Sequence, residues 1–373
     1  MKSSLKIGSV LGIPIRLHFT FLLVLPLLAF SFAEGPSSIH LGFSAVSDPF
    51  LRYSLGTASA ILLFVCVIVH EIAHSYVAKR NNIKINDITL YLFGGVSAME
   101  EVPRNPSVEM RMAIVGPLTS IVLGVICGVA YLGLPGLMAS PAIGITVYLL
   151  AYMNLMLGIF NIIPAFPMDG GRVFRALLAM RMPYIAATRW AVFTGKMFAY
   201  LLGIIGLFMG LSGIWLIIIA FFIYVAAGEE ERSTVTSVML EGMKVRDIMS
   251  KNVDTVDAGS TVSSCLHTMF ERKHLGYPVL DGGKMIGIIT LADVSRVPET
   301  ARDHTLVRGV MTRNVITLKP DDDAVVALQK ISQFKVGRIV VMDGDRITGI
   351  VSRSDIVRAL ELHGVLVSGG PGS

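Results

Sequence analysis

Six apolar runs, each of about the length that can cross a bilayer as a helix, fill most of the first 230 residues of this 373-residue chain. A crossing helix needs roughly 20 apolar residues. The runs cover residues 15–32, 54–77, 110–132, 142–163, 190–209 and 213–227. Composition agrees: 53% of the residues are apolar and only 16% are charged, where soluble domains carry about a quarter. The first run opens on Arg16 and His18 and starts late for a signal peptide, which is the minor alternative there. The last two runs are separated by a very short glycine-containing turn, which predicts a tight helical hairpin.

The basic residues set an orientation. Lys2, Lys6 and Arg16 precede or open the first run; Lys79, Arg80, Lys84, Arg104 and Arg111 lie between the second and third; Arg172, Arg175, Arg181 and Arg189 lie between the fourth and fifth. The alternate loops hold only Arg52. Lys and Arg accumulate on the cytoplasmic side, so the N-terminus and everything after the sixth run are expected in the cytoplasm of a cell-membrane protein. The net charge of +5 is modest and dispersed, which speaks against nucleic-acid binding. Cys66, Cys127 and Cys265 form no C-x-x-C pair and read as small buried hydrophobes.

Between the second and third runs, residues 84–97 alternate and are rich in β-branched side chains, which predicts strands, with Gly94-Gly95 as the turn. After about residue 240 the composition becomes that of a soluble domain, and the chain repeats itself. Val245-Arg-Asp-Ile-Met249 matches Val307-Arg-Gly-Val-Met311, and Gly287-Ile-Ile-Thr290-Leu-Ala-Asp293 matches Gly349-Ile-Val-Ser352-Arg-Ser-Asp355, each at an offset of 62 residues. Each repeat reads as strand, helix, strand, strand, helix. The expected division is a membrane domain at 1–230, a linker at 231–243, repeats at 244–300 and 301–362, and a flexible low-complexity tail at 363–373. The fold class is thus a multi-pass α-helical membrane domain of about six helices with a short membrane-associated β element, followed by a tandem α/β module.

The second run contains His70-Glu71-Ile72-Ala73-His74. Residues four apart share a helix face, so two imidazoles at this spacing can hold one zinc ion, with the glutamate between them as general base. Ionisable groups inside a crossing helix are costly and mark function; the plain alternative is a polar cluster that bonds between helices. A catalytic zinc needs a third protein ligand. Asp169 is the candidate, in Asn161-Ile-Ile-Pro-Ala-Phe-Pro-Met-Asp169-Gly-Gly-Arg172, where prolines and glycines predict an irregular buried loop at the depth of the histidines. Asn161 could donate to a developing oxyanion or simply bond between helices. In each repeat a hydroxyl and a carboxylate, Thr290 with Asp293 and Ser352 with Asp355, stand before a helix. They could bind a ribose, or only cap that helix in a structural or dimerising module.

These segments together resemble the site-2 protease family of intramembrane zinc metalloproteases. HEIAH, Gly116-Pro117, the NxxPxxPxDGGR segment and the N-terminal Gly12-Ile-Pro-Ile-Arg-Leu-His carry the likeness. The repeat resembles a pair of CBS modules, found in one branch of that family. The resemblance implies one zinc ion on His70, His74 and Asp169, Glu71 as base and Asn161 assisting. It also implies AMP or ATP at Thr290, Asp293, Ser352 and Asp355; an inserted PDZ domain is not expected, because no soluble stretch of that size separates the spans. The expected partners are single-pass or other membrane-protein substrates, the lipid bilayer, an adenine nucleotide and a second copy of the chain through the CBS pair. Two other readings compete: a CBS-regulated transporter or channel, and a membrane scaffold that binds metal without hydrolysis.

Overall fold

The computed structural model describes residues 4–36, 41–91, 94–99, 104–134, 136 and 140–368. They divide into two compact units, Met1–Thr234 and Val235–Ser373.

The first unit opens with two strands, β1 (Ser4–Val10) and β2 (Ile13–His18), and a short helix, α1 (Phe21–Glu34). The first apolar run is therefore not one long helix. Ile13 and Ile15 are buried while their neighbours are less so, the period-2 pattern of a strand. The 14 residues of α1 reach only about 21 Å, short of a ~30 Å hydrocarbon core.

Among the described residues, five other helices are long and apolar enough to cross: α2 (Pro49–Arg80), α3 (Pro106–Gly133), α4 (Pro141–Ile162), α6 (Tyr184–Phe208) and α7 (Ile214–Met239). Between α4 and α6 lies α5 (Asp169–Ala179), short and strongly amphipathic. The predicted hairpin joins α6 to α7 through a single 3₁₀ turn at Gly210–Gly213. The stretch expected as a linker, 231–243, is helical as far as Met239.

Local chemistry fixes the starts of α2 and α3. Asp48 accepts the Phe50 N–H at 3.1 Å ahead of Pro49, and Asn105 accepts the Ser107 N–H at 3.0 Å ahead of Pro106. Both pair an N-cap side chain with proline at the first helical position. Helix α3 carries two faces. Leu118, Val122, Ile126 and Val129 are exposed, an apolar stripe suited to lipid. Met112, Gly116, Ser120 and Gly124, at intervals of four, are buried and let neighbouring helices approach closely.

The strands β3 (Ile85–Tyr91) and β4 (Gly94–Met99) complete a four-stranded sheet in the order β1-β2-β3-β4. Strands β2 and β3 run parallel, with Ile15 opposite Ile88; the two hairpins are antiparallel. Gly94 and Gly95 do not make the turn. They open β4, with Gly94 opposite Tyr91; residues 92–93 lie outside the described residues.

In the second unit each repeat forms a three-stranded sheet. The first contains β5 (Val256–Asp257), β6 (Gly276–Asp281) and β7 (Lys284–Thr290) with α9 (Val262–Arg272) and α10 (Leu291–Ser295). The second contains β8 (Thr317–Leu318), β9 (Arg338–Asp343) and β10 (Arg346–Ser352) with α12 (Ala324–Gln333) and α13 (Arg353–Ser368). Four-residue helices, α8 (Val245–Ile248) and α11 (Val307–Val310), precede them.

These opening segments are exchanged. Leu240, Val245 and Ile248 pack in the core of the second repeat, and Val307 packs in that of the first, backed by Val310 and Met311. The backbone bridges are reciprocal: Ser250 with Ile350, and Ile288 with Thr312. The tail expected as flexible from 363 is helical to Ser368; residues 369–373 lie outside the described residues.

Candidate metal centre

Helix α2 turns one buried face inward, and that face carries His70 and His74, 4% and 7% exposed. Their Nε2 atoms stand 3.1 Å apart. Asp169 enters from the opposite side as the first residue of α5, just past the Pro164–Pro167 bend rather than within the loop. Its Oδ2 lies 3.3 Å from His70 Nε2 and 3.2 Å from His74 Nε2. Three atoms from helices 99 positions apart in sequence thus form a nearly equilateral triangle.

The far side of each ring is held. His74 Nδ1 donates to the Met112 carbonyl at 2.6 Å, and His70 Nδ1 bonds the Ser120 hydroxyl at 2.9 Å. Both partners belong to α3. With Nδ1 of His74 as the donor, its Nε2 presents a lone pair, and so does the Asp169 carboxylate. Lone pairs converging at 3 Å repel unless a cation lies between them.

The donor set fits zinc. Tetrahedral bonds of about 2.0–2.1 Å to nitrogen and oxygen imply ligand–ligand edges of about 3.3 Å, close to the separations present. Gly116 of α3 lies directly beneath: a Cβ there would stand 2.7 Å from His70 Nε2 and closer still to the His74 ring. The missing side chain leaves the cradle open.

Glu71 follows His70 on α2. The backbone of β4 passes over it, for a Cβ on Gly95 would lie 2.9 Å from the Glu71 carboxyl carbon. Gly170 and Gly171 let the start of α5 press against the backbone of residues 162–166, which seats Asp169.

The model of Peptidase family M50 matches residues 58–145 and 136–203, and the CBS domain model matches 245–299 and 307–362. A zinc metalloprotease of Methanocaldococcus jannaschii is 33% identical over 368 residues, 97% of either chain. The chain belongs to the site-2 protease family, peptidase family M50. Rip3 of Mycobacterium tuberculosis is 31% identical over 375 residues, 97% of this chain and 94% of its own length. Among solved structures, a site-2 protease from M. jannaschii is 36% identical and covers 61% of this chain and 95% of its own, at a TM-score of 0.44.

As a site-2 protease the chain is a multi-pass membrane metalloendopeptidase with a C-terminal CBS pair. Asn161, near the end of α4, spends its amide on the Leu157 carbonyl of its own helix at 2.9 Å. In the CBS pair, Thr290 donates its hydroxyl to Asp293 Oδ2 at 2.6 Å, and Ser352 does the same to Asp355. Both carboxylates also accept the backbone N–H of the same hydroxyl residue, so each pair caps its helix. Sequence reasoning missed Ser120 and Met112. Ser120 was visible as a polar member of the small-residue stripe; Met112 acts through its carbonyl, which any residue would supply.

Proposed function

We propose that His70, His74 and Asp169 hold one zinc ion and that Glu71 moves the proton when a peptide bond of a membrane-embedded substrate is hydrolysed. The observation that carries this reading is the triangle of acceptor atoms over the open Gly116 cradle. Zinc, when bound, supplies Lewis-acid activation of water and of the scissile carbonyl. Glu71 accepts the proton of the attacking water and delivers it to the leaving amine. Met112 and Ser120 hold the imidazoles in orientation, as second partners of ligating histidines do.

A transmembrane substrate helix has its carbonyls engaged internally and must unwind before attack. Among the described residues, strand β4 is the edge strand of its sheet, and it lies against Glu71. An extended substrate segment pairing with its free edge would be held beside the base. Asn161 would stabilise the oxyanion after exchanging its bond to Leu157.

The Lys/Arg bias favours a cytoplasmic N-terminus and CBS pair; this orientation needs a sixth crossing, made by α1, packed on α2 through Ala29, Phe32 and Ala60, together with the residues that flank it. The catalytic unit spans 1–230. The CBS repeats at 244–300 and 301–362 bind AMP or ATP at Thr290, Asp293, Ser352 and Asp355, regulate cleavage and pair with a second copy.

The decisive experiment reconstitutes the full chain with a single-pass substrate. Glu71→Gln keeps stoichiometric zinc and loses about a hundred- to ten-thousandfold in cleavage rate, whereas His70→Ala loses the zinc. Cleavage by Glu71→Gln at the native rate would remove Glu71 from the reaction. Calorimetry of the full chain with ATP tests the nucleotide site, and no heat would remove that part alone.

A further inference from the structure

A buried guanidinium ties the metal centre to the helix that leaves the membrane unit. Arg175 of α5 is 5% exposed. Its Nε donates to Glu109 Oε1 of α3 at 2.7 Å. Its Nη1 donates to Glu230 Oε1 at 3.0 Å and to Thr234 Oγ1 at 3.3 Å, both on α7. Tyr184, at the start of α6, donates its hydroxyl to the other Glu109 oxygen at 3.0 Å. The guanidinium also lies over the Phe166 and Tyr184 rings, 4.8 and 5.0 Å from their centroids.

Two of the helices so joined build the metal centre. Helix α5 begins with Asp169, six residues and about 9 Å of helix ahead of Arg175. Helix α3 supplies the Met112 carbonyl, the Gly116 cradle and Ser120, and Glu109 stands one turn before Met112. The Arg175–Glu109 pair therefore clamps the helix that carries the third donor to the helix that backs both imidazoles. A guanidinium suits this task because its planar fork serves several acceptors at fixed angles. The rest of the fork is engaged by α7. Thr234 is the last residue of the first unit, and α7 runs unbroken through it to Met239.

We propose that Arg175 is a positioning residue for Asp169, held in place by Glu230 and Thr234, so that displacement of α7 loosens the metal centre. This rests on the zinc reading above and gives the CBS pair a route to the site, since α7 is the covalent connection between them.

The test follows zinc extraction by a chelator from the full chain in detergent, together with kcat and KM on a membrane substrate. Glu230→Gln combined with Thr234→Val leaves the buried Arg175–Glu109 pair intact, so the fold is retained. It is expected to load zinc fully but release it about tenfold faster, the effect of losing an outer-shell partner, and to lower kcat without raising KM. Arg175→Lys keeps the charge without the fork and should show the same signature in weaker form. ATP should change the release rate of the native chain and not of the double variant. Release within about twofold of native in both variants overturns the proposal. A native chain without zinc would instead overturn the zinc reading. A native chain indifferent to ATP would overturn the regulatory reading, leaving the positioning role to the release rates.

Discussion

Gly116→Ala should weaken metal binding more than it weakens the metal-free fold. A methyl on residue 116 would stand 2.7 Å from His70 Nε2, about 0.7 Å inside the 3.4 Å at which ordinary contact begins, and it would press harder on His74. The rings cannot swing away freely. His74 is held through Nδ1 by the Met112 carbonyl and His70 by Ser120, and both of these partners share α3 with the new methyl. Metal–ligand distances tolerate only about 0.2 Å. A displacement several times larger should cost at least about a hundredfold in zinc affinity, or about 2.8 kcal/mol. The metal-free protein should lose stability as well, because overpacking against the two rings costs about 1–3 kcal/mol, more than the roughly 0.5–1 kcal/mol by which alanine is favoured over glycine in a helix interior. Competition against a chelating dye gives the affinity, and thermal unfolding in excess chelator gives the metal-free stability. Zinc affinity within about threefold of native in Gly116→Ala would refute the argument that the glycine keeps the cradle open.

Three further outcomes are expected. Glu109→Ala leaves the Arg175 guanidinium buried without its main counter-ion and should destabilise the membrane unit by about 3–5 kcal/mol; denaturation in mixed micelles measures it, and a loss below about 1 kcal/mol would show that the pair is solvated. Asn161→Ala should retain zinc and lose about a hundred- to thousandfold in kcat if its amide serves the oxyanion, whereas a purely local bond to Leu157 predicts native turnover. Cys265 lies in the core of the first repeat, where burial pushes its thiol up to about 11. A raised value keeps the group neutral, so at pH 8 only about one molecule in a thousand carries the reactive thiolate. Iodoacetamide should label it slowly in the folded chain and rapidly after unfolding, and equal rates would place Cys265 outside the core.

Much of the site could be read in the order of residues. The HEIAH spacing fixes two imidazoles on one face of any helix that contains them, whatever surrounds it, because 3.6 residues per turn leave no other arrangement. The Pro- and Gly-punctuated segment marked Asp169 as irregularly placed, although the aspartate opens a helix instead of sitting in the loop. Strand β2 was missed because its six residues continue directly into the apolar run of α1, and hydropathy alone does not separate a short alternating segment from the helix behind it. The Gly94-Gly95 turn failed for a related reason: glycine also serves a strand that must pass close to another chain segment, here Glu71.

The sequence by itself determined the class of chain: membrane helices, a two-histidine metal motif and a repeat with a 62-residue offset. Each of these is periodic or local and survives without knowledge of neighbours. Only the tertiary structure decided which groups complete them. Met112 orients His74 through a carbonyl that carries no side-chain signature, and Arg175 meets Glu109 across 66 positions. The two repeats exchange their opening segments, so that each core is closed by the other. A pair related by two-fold symmetry can close within each repeat or between them with the same residues. The choice depends on how the intervening chain packs, and hydrophobic patterning does not record it.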